Sequence, residues 1–224
     1  MGFIIIWEAL SYFKIIDSFF FSSPSGVILL FIDMCKNFEI FIHTGITLYE
    51  TLLSFVIVNA LSILIAILLL SFHSLSKITE PYLVILNSLP KSALAPLIIV
   101  WLGTGSKTII IAGMSVAIFG SIINLYYGFK QSDEESAKLI YTLGGTKKDV
   151  LTKVILPGNF PVIISVMKVS IGLSLVGVII GEFLAANAGL GYLIIYSSQV
   201  FKLDWTMLSI AILCIVAVVD VHLC

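Results

Sequence analysis

The sequence has few charged residues and no arginine. Of its 224 residues, 11% are charged and 59% are hydrophobic, whereas about a quarter of the residues in an average soluble domain are charged. This composition excludes an ordinary water-soluble globular protein. All 12 basic residues are lysines, 13 residues are acidic, and the formal net charge is −1. Without a surplus of positive charge, the chain is not suited to bind nucleic acid.

Motifs for metal binding, nucleophilic catalysis and nucleotide binding are also missing. The three cysteines are unclustered, the three histidines are isolated, and no serine lies in a Gly-x-Ser-x-Gly turn. The glycine-rich stretch 103–107 lacks the spacing of a phosphate-binding loop. We therefore expect no catalytic residue, no metal site and no cofactor bound by this chain. The residues considered are Cys35, Cys214, Cys224, His43, His73 and His222.

Long apolar runs with little or no charge dominate the sequence instead. Since a bilayer core needs about 20 apolar residues per helix, they predict an all-α integral membrane protein with five to six transmembrane helices. The apolar run 2–13 predicts a weak or clipped first helix, and the mixed stretch 27–39 predicts an interfacial segment. Residues 1–43 thus precede a transmembrane core, residues 44–224. Its five helices are predicted near residues 46–72, 78–102, 107–129, 158–186 and 204–221.

One substantial polar stretch, residues 130–156, lies between the third and fourth of these helices, and we call it the polar segment. Ser132 and Glu135 have the spacing of a capping box, which predicts a helix that begins there. This helix is expected to end near Leu143, because a glycine pair follows at 144–145.

A second short helix is predicted after the glycine pair. Thr146 and Asp149 have the spacing of its cap, and Pro157 ends it or opens the next helix. A count of lysines favours a cytoplasmic polar segment by a small bias. On its side lie Lys77, Lys130, Lys138, Lys147, Lys148 and Lys153, and on the other side lie Lys14, Lys36, Lys107 and Lys202.

Three charged residues, Lys91, Lys168 and Glu182, interrupt long apolar runs inside the predicted spans. A charge at a helix centre costs about 2.5 to 3.5 kcal/mol on insertion scales, which makes each a candidate for a pathway or a gate. For Lys168 and Glu182, the alternative is that each snorkels or satisfies a backbone carbonyl. Lys168 and Glu182 are separated by about 21 Å along one helix and cannot pair with each other.

Two further patterns in the spans have a functional and a structural interpretation. The stretch 87–96 lies among the prolines Pro81, Pro90 and Pro96 and is either a pathway wall or a packing kink. Small residues recur at every fourth position of the fourth span and indicate a helix or subunit contact or ordinary packing within the chain. They are Gly177, Gly181, Ala185 and Gly189.

The motifs together resemble a known family. Gly144, Val154 and Leu156-Pro157 have the spacing of the signature Glu-Ala-Ala, three residues, Gly, nine residues, Ile, one residue, Leu-Pro, although 138–140 read Lys-Leu-Ile. This is the cytoplasmic signature of the permease subunits of ATP-driven, binding-protein-dependent importers. The chain resembles their nitrate, sulfonate and taurine branch over about residues 7–212. Further similar stretches are 21–26, 86–97, 101–103 and 181–192.

The resemblance implies a type I importer permease, in which the polar segment is a cytoplasmic coupling loop on a separate ATPase that binds ATP and Mg²⁺. It also implies a homodimer in the lipid of a prokaryotic inner membrane, and an extracytoplasmic binding protein that delivers an aliphatic sulfonate, taurine or a nitrate-like solute. The implied coupling residues are Glu135, Ala137, Lys138, Leu143, Gly144, Gly145, Thr146, Val154, Leu156 and Pro157. Our candidates for the translocation pathway are Asn87, Pro90, Lys91, Pro96 and Glu182.

Two other functions remain open at this point. An ion-gradient-driven secondary carrier usually shows broken helices in matched halves, whereas only the second span looks broken here. A structural membrane scaffold is the third possibility. The resemblance also leads us to expect a basic cytoplasmic tail, which the ending 219–224 does not have.

Overall fold

The computed structural model describes residue 8 and residues 23–132 and 134–223, and every element in this part is helical. The predicted first helix lies outside the described residues except for Glu8. The helices are α1 (Pro24–Lys36), α2 (Glu39–Ser71), α3 (His73–Ser88), α4 (Lys91–Leu102), α5 (Ser106–Lys130), α6 (Glu134–Thr142), α7 (Lys147–Val150), a π-helix (Leu151–Ile155), α8 (Leu156–Gly158), α9 (Phe160–Ala185), α10 (Leu190–Gln199) and α11 (Leu203–Leu223).

Four helices, α2, α5, α9 and α11, are long and apolar enough to cross a membrane. Helices α3 and α4 meet the same criteria only together, and they are bent by 96° at the break between them. These five units coincide with the five predicted spans and confirm the all-α multi-span fold. The break follows from Pro90, since a proline disfavours helical backbone at the residue before it, and Leu89 is indeed extended, with φ −65° and ψ 138°.

Helix α5 lies at the centre and packs most extensively on α2 and α9. A Cβ atom on Gly177 of α9 would lie 2.8 Å from the Cα of Gly113 and 2.9 Å from the carbonyl oxygen of Ala112. A Cβ atom on Gly113 would in turn lie 2.7 Å from Ser54 Oγ of α2. The small residues therefore let three helix backbones approach closely, and Gly177 and Gly181 serve packing within this chain.

Polar side chains connect the same three helices in their interior. Asn59 Nδ2 of α2 donates a hydrogen bond to Ser170 Oγ of α9 at 2.9 Å. Ser54 Oγ donates to the backbone oxygen of Ile110 on α5 at 3.1 Å. In a bilayer such bonds contribute about 0.6 to 2 kcal/mol each, and they fix the register of the helices.

Two apolar clusters lie toward opposite ends of this bundle. One joins α2, α3, α5 and α9 near the polar segment, with Phe129 fully buried. The other joins α1, α2, α9, α10 and α11 around Met34, Leu190 and Leu208. Helix α1 thus packs on α11, and its interfacial position stays a prediction.

We expect Gly177→Ala to destabilise the fold by about 1 to 3 kcal/mol, because the added methyl group meets backbone atoms that cannot move aside. Gly172→Ala is the matched control, since Gly172 lies on the same helix with no atom within 4 Å of an added Cβ. The midpoint of thermal unfolding of the detergent-solubilised protein measures both effects. Equal midpoints for the two variants would contradict the close approach of α5 and α9.

Candidate functional site

The polar segment turns sharply at its glycine pair. Gly144 has a φ of +80°, which glycine adopts without strain. The Gly145 N–H donates to the carbonyl oxygen of Ile140 at 2.9 Å and closes α6. A Cβ atom on Gly145 would lie 2.5 Å from Ile140 Cγ2 and 2.9 Å from that carbonyl oxygen. Neither position therefore accepts a side chain without strain, and the predicted helix ending is confirmed.

Helix α7 begins with the predicted cap. The Thr146 N–H donates to Asp149 Oδ2 at 2.9 Å, and the Asp149 N–H donates to Thr146 Oγ1 at 3.4 Å. Lys153 Nζ lies 2.9 Å from Asp149 Oδ1. The hydrogen bonds from Thr146 and the nearby Lys153 ammonium hold the pKa of Asp149 well below its usual value. The ionised cap is thus present at neutral pH and is lost only as the pH falls through that lowered pKa.

A π-helix connects α7 to the next span. Leu151–Ile155 take this wider helical form, and the Leu156 N–H donates to the carbonyl oxygen of Leu151. Pro157 follows in α8 and has no N–H to donate. Since π-helical turns are rare and occur frequently at functional sites, this is the second unusual backbone feature of the polar segment.

Two leucines of the polar segment expose apolar surface one helical turn apart. The side chains of Leu139 and Leu143 are 59% and 76% exposed. The expected coupling residues divide into two groups around them. Glu135, Lys138, Leu143, Gly144, Thr146 and Pro157 are exposed, whereas Ala137, Gly145, Val154 and Leu156 are half-buried.

The base of the polar segment is tied to the spans. Asn159 Nδ2 donates to Ser132 Oγ at 2.6 Å and to the carbonyl oxygen of Ile155 at 2.8 Å. Ser132 Oγ donates to the carbonyl oxygen of Phe129 at 2.8 Å. The predicted capping box between Ser132 and Glu135 spans residue 133, which lies outside the described residues, and stays a prediction.

Lys91 lies at the break between α3 and α4. Its Nζ atom donates to the carbonyl oxygens of Leu86, at 2.9 Å, and of Asn87. It also lies 5.9 Å from the ring centroid of Phe119 on α5. The ammonium group thus satisfies carbonyls that the end of α3 leaves without helical partners.

A groove of about 490 Å³ runs between α5 and α9. Its polar lining includes Ser121, Asn124 and Ser165. A Cβ atom on Gly120 at its edge would lie 3.4 Å from Asn87 Oδ1, so the broken span borders the groove. The complete lining is Gly120, Ser121, Asn124, Pro161, Val162, Ser165, Val166, Val169 and Leu173.

The predicted pathway residues separate in the structure. Asn87 lies next to Gly120 at the edge of the groove, and Lys91 donates to the Asn87 carbonyl oxygen. Pro90 and Pro96 are exposed on the same broken span. Glu182 lies at the far end of α9 and is only 1% exposed. The structure therefore does not bring Glu182 to the groove.

Glu182 instead connects α9, α2 and α10. Thr47 Oγ1 donates to Glu182 Oε1 at 2.7 Å, and the Gly191 N–H donates to Glu182 Oε2 at 2.6 Å. Thr47 Oγ1 also accepts from the Leu190 N–H at 2.9 Å, and His43 Nδ1 accepts from the Gly189 N–H at 2.9 Å. We call these residues the Glu182 junction, and it holds the start of α10 against α2.

Sequence reasoning missed Glu50, which is fully buried beside Glu182. Its carboxyl oxygens have no hydrogen-bond partner among the described residues. The charge-free run within the first predicted span, 46–72, begins only at Thr51, so Glu50 lies at its edge and does not interrupt it. The periodicity of small polar residues at Thr47, Thr51 and Ser54 marks the buried face of α2 and could have revealed it.

Comparison with known proteins shows the family. Residues 58–222 match the family described as "Binding-protein-dependent transport system inner membrane component". The chain belongs to this family. It is a multi-pass transport permease of the ABC importer type and not an enzyme.

Individual relatives agree with this assignment. The chain is 27% identical to the formylaminopyrimidine transport permease protein ThiX of Halalkalibacterium halodurans over 84% of this chain and 74% of that protein. It is 24% identical to the taurine transport system permease protein TauC of Escherichia coli over 95% and 79% of the two chains.

A solved structure shows the fold. A chain of the MetNI methionine ABC transporter in an inward-facing conformation aligns with a TM-score of 0.66. The alignment covers 81% of this permease and 89% of that chain, at 15% identity. The expected type I importer fold is thereby confirmed.

We predict that Thr47→Val destabilises the permease by about 1 to 3 kcal/mol for each buried polar group that loses its partner. Valine keeps the shape of threonine but can neither donate to Glu182 nor accept from the Leu190 N–H. Thr47→Ser is the control, because it retains the hydroxyl group. A thermal unfolding midpoint of Thr47→Val that equals that of the unchanged permease, with a fall only in Thr47→Ser, would show that packing of the methyl group rather than the Glu182 junction stabilises this region.

Proposed function

We propose that this permease forms the translocation path of an ATP-driven importer for a small solute and couples to a separate ATPase through its polar segment. The observation that carries the proposal is the shape of that segment. Two short helices meet at positions 144 and 145, where a side chain would cause strain or a clash, and the turn leaves Leu139 and Leu143 exposed to a partner. Exposed apolar residues on a polar, capped helix are typical of helix-in-groove recognition.

The ATPase binds ATP and Mg²⁺ in this proposal, and the permease binds no cofactor. Closure of the ATPase subunits on nucleotide displaces the polar segment as a unit, and the spans attached to it follow as rigid elements. The Thr146 cap supports this role, because it keeps α7 formed while the segment is moved. The signature residues Val154, Leu156 and Pro157 lie where the moving segment joins α9.

The groove between α5 and α9 is the proposed wall of the path, together with the broken span. Small polar side chains line the groove, and Lys91 lies at its border with a positive charge. A second copy of the chain completes the path as a homodimer. The exposed apolar residues Val100 and Trp101 of α4 support such a contact, because large unpartnered apolar surfaces mark interaction sites or lipid contacts.

For the cargo we propose a small anion of the aliphatic sulfonate, taurine or nitrate type, delivered by an extracytoplasmic binding protein. The similarity to TauC supports the sulfonate class, and Lys91 supplies the positive charge that an anion needs. The similarity to ThiX makes a formylaminopyrimidine the second candidate. A prokaryotic inner membrane is the proposed location, in agreement with the description of the family.

Affinity purification of the tagged permease from its own membranes tests the coupling role. We expect an ATPase subunit to co-purify. We expect Gly145→Ala to weaken this capture by about fivefold or more, because the added Cβ meets the Ile140 carbonyl oxygen and such overpacking costs about 1 to 3 kcal/mol. Gly158→Ala is the control, since an added Cβ there meets no atom within 4 Å. Equal capture by the two variants would contradict docking through the glycine turn.

Uptake by vesicles that contain this complex and its binding protein tests the energy source and the cargo. We expect accumulation of labelled taurine that requires ATP inside, is abolished by vanadate, and is reduced by excess butanesulfonate. Lys91→Met should lower the rate for taurine, whereas Lys168→Met, on the exposed side of α9, is the matched control. Uptake driven by an ion gradient without ATP would indicate a secondary carrier instead.

A further inference from the structure

Asn159 joins three parts of the permease with one side chain. It is 7% exposed and lies directly before α9. Both N–H groups of its amide are used, one toward Ser132 Oγ at 2.6 Å and one toward the carbonyl oxygen of Ile155 at 2.8 Å. Through the Ser132 hydroxyl, the bridge reaches the carbonyl oxygen of Phe129 at the end of α5.

This bridge closes the polar segment at its base. Ser132 and Asn159 are 27 residues apart in the sequence, and all of the segment from α6 to α8 lies between them. Close beside the bridge, a Cβ atom on Gly128 of α5 would lie 2.7 Å from Val162 Cγ1 of α9. The ends of both spans and both ends of the polar segment therefore meet at one buried point.

Without the bridge, the polar segment would be connected to α5 only through a short stretch of chain. Only Gln131, Ser132 and residue 133 connect α5 to α6, and Gln131 is exposed. On the other side the connection is continuous, because α7, the π-helix and α8 follow one another without a gap. A displacement of the segment would thus reach α9 directly. It would reach α5 through Ser132 and through the packing of Ile155 and Leu156 on the cluster that contains Phe129.

We propose that Asn159 is a positioning residue that transmits the displacement of the polar segment to α5 and α9 together. This inference rests on the proposed function, in which an ATPase moves that segment. The bridge adds a polar link to the close packing of α5 and α9, which both line the groove, at the end where the polar segment is displaced. Without it, ATP hydrolysis continues but moves the wall formed by α5 less completely.

Vesicles that contain the ATPase complex test the inference by the ratio of solute taken up to ATP hydrolysed. Asn159→Ala removes both hydrogen bonds of the amide, whereas Ser132→Ala removes only the bridge and leaves the bond to Ile155. We expect each variant to lower the ratio by about threefold to tenfold, within the range found for residues that carry coupling. The double variant should be no worse than either, because all three lack the same bridge.

Thr152→Ala is the matched control. Its hydroxyl group lies on the same polar segment and bonds only the nearby carbonyl oxygens of Lys148 and Asp149. We expect its ratio to equal that of the unchanged permease, and ATPase capture and thermal midpoint to stay nearly constant in the whole series.

Two results would overturn the inference. One is a normal ratio for Ser132→Ala, which would mean that Asn159 serves only the local backbone at Ile155. The other is a proportional loss of uptake and hydrolysis in both single variants, which would indicate a merely structural role. Should Asn159→Ala fail to assemble, Ser132→Ala alone still decides between these outcomes. The proposed function fails separately, if the unchanged permease captures no ATPase.

Discussion

The close approach of α2, α5 and α9 is the constraint on which the rest of the permease depends. Apolar side chains gain little by leaving lipid for protein, so helices in a bilayer associate through van der Waals packing and hydrogen bonds between backbones that come near each other. Gly113 and Gly177 allow that distance, and any side chain at Gly177 would meet the backbone of α5. The bonds from Ser54 and from Asn59 to Ser170 form only because the three axes are this close. The polar groups then fix the register of helices whose close packing the glycines already allow.

Helix α9 connects two very different polar regions. At one end, Glu182 holds the start of α10 by hydrogen bonds in a buried setting, where losing a partner is costly. At the other end, Asn159 and the π-helix lead into an exposed, capped turn. In the proposed function, α9 would transmit the displacement of the polar segment along its length toward the Glu182 junction.

The sequence predicted those features whose cause is local. Hydrophobic runs showed the five spans, Pro90 indicated the break, and the glycine pair and Thr146 marked the turn, because each depends on residues within one or two helical turns. Contacts between residues that are far apart in the sequence could not be predicted in this way. Thr47 and Glu182 are 135 residues apart, and nothing in either neighbourhood reveals that a hydroxyl and a carboxylate will meet. Asn159 was missed for the same reason. Glu182 was predicted as a pathway residue because the sequence of one helix does not show which neighbouring helices its buried charge will contact.

The position of Lys91 has a consequence for how an anion would travel past it. Its ammonium group is already engaged by the backbone oxygen of Leu86 and faces the ring of Phe119. A negatively charged solute would have to compete with these partners. Its net gain in binding free energy is therefore only the difference between its interaction with Lys91 and the interactions that it displaces. In the proposed path, such a site would attract an anion but bind it weakly. Weak binding would allow the solute to be released within each cycle of ATP hydrolysis.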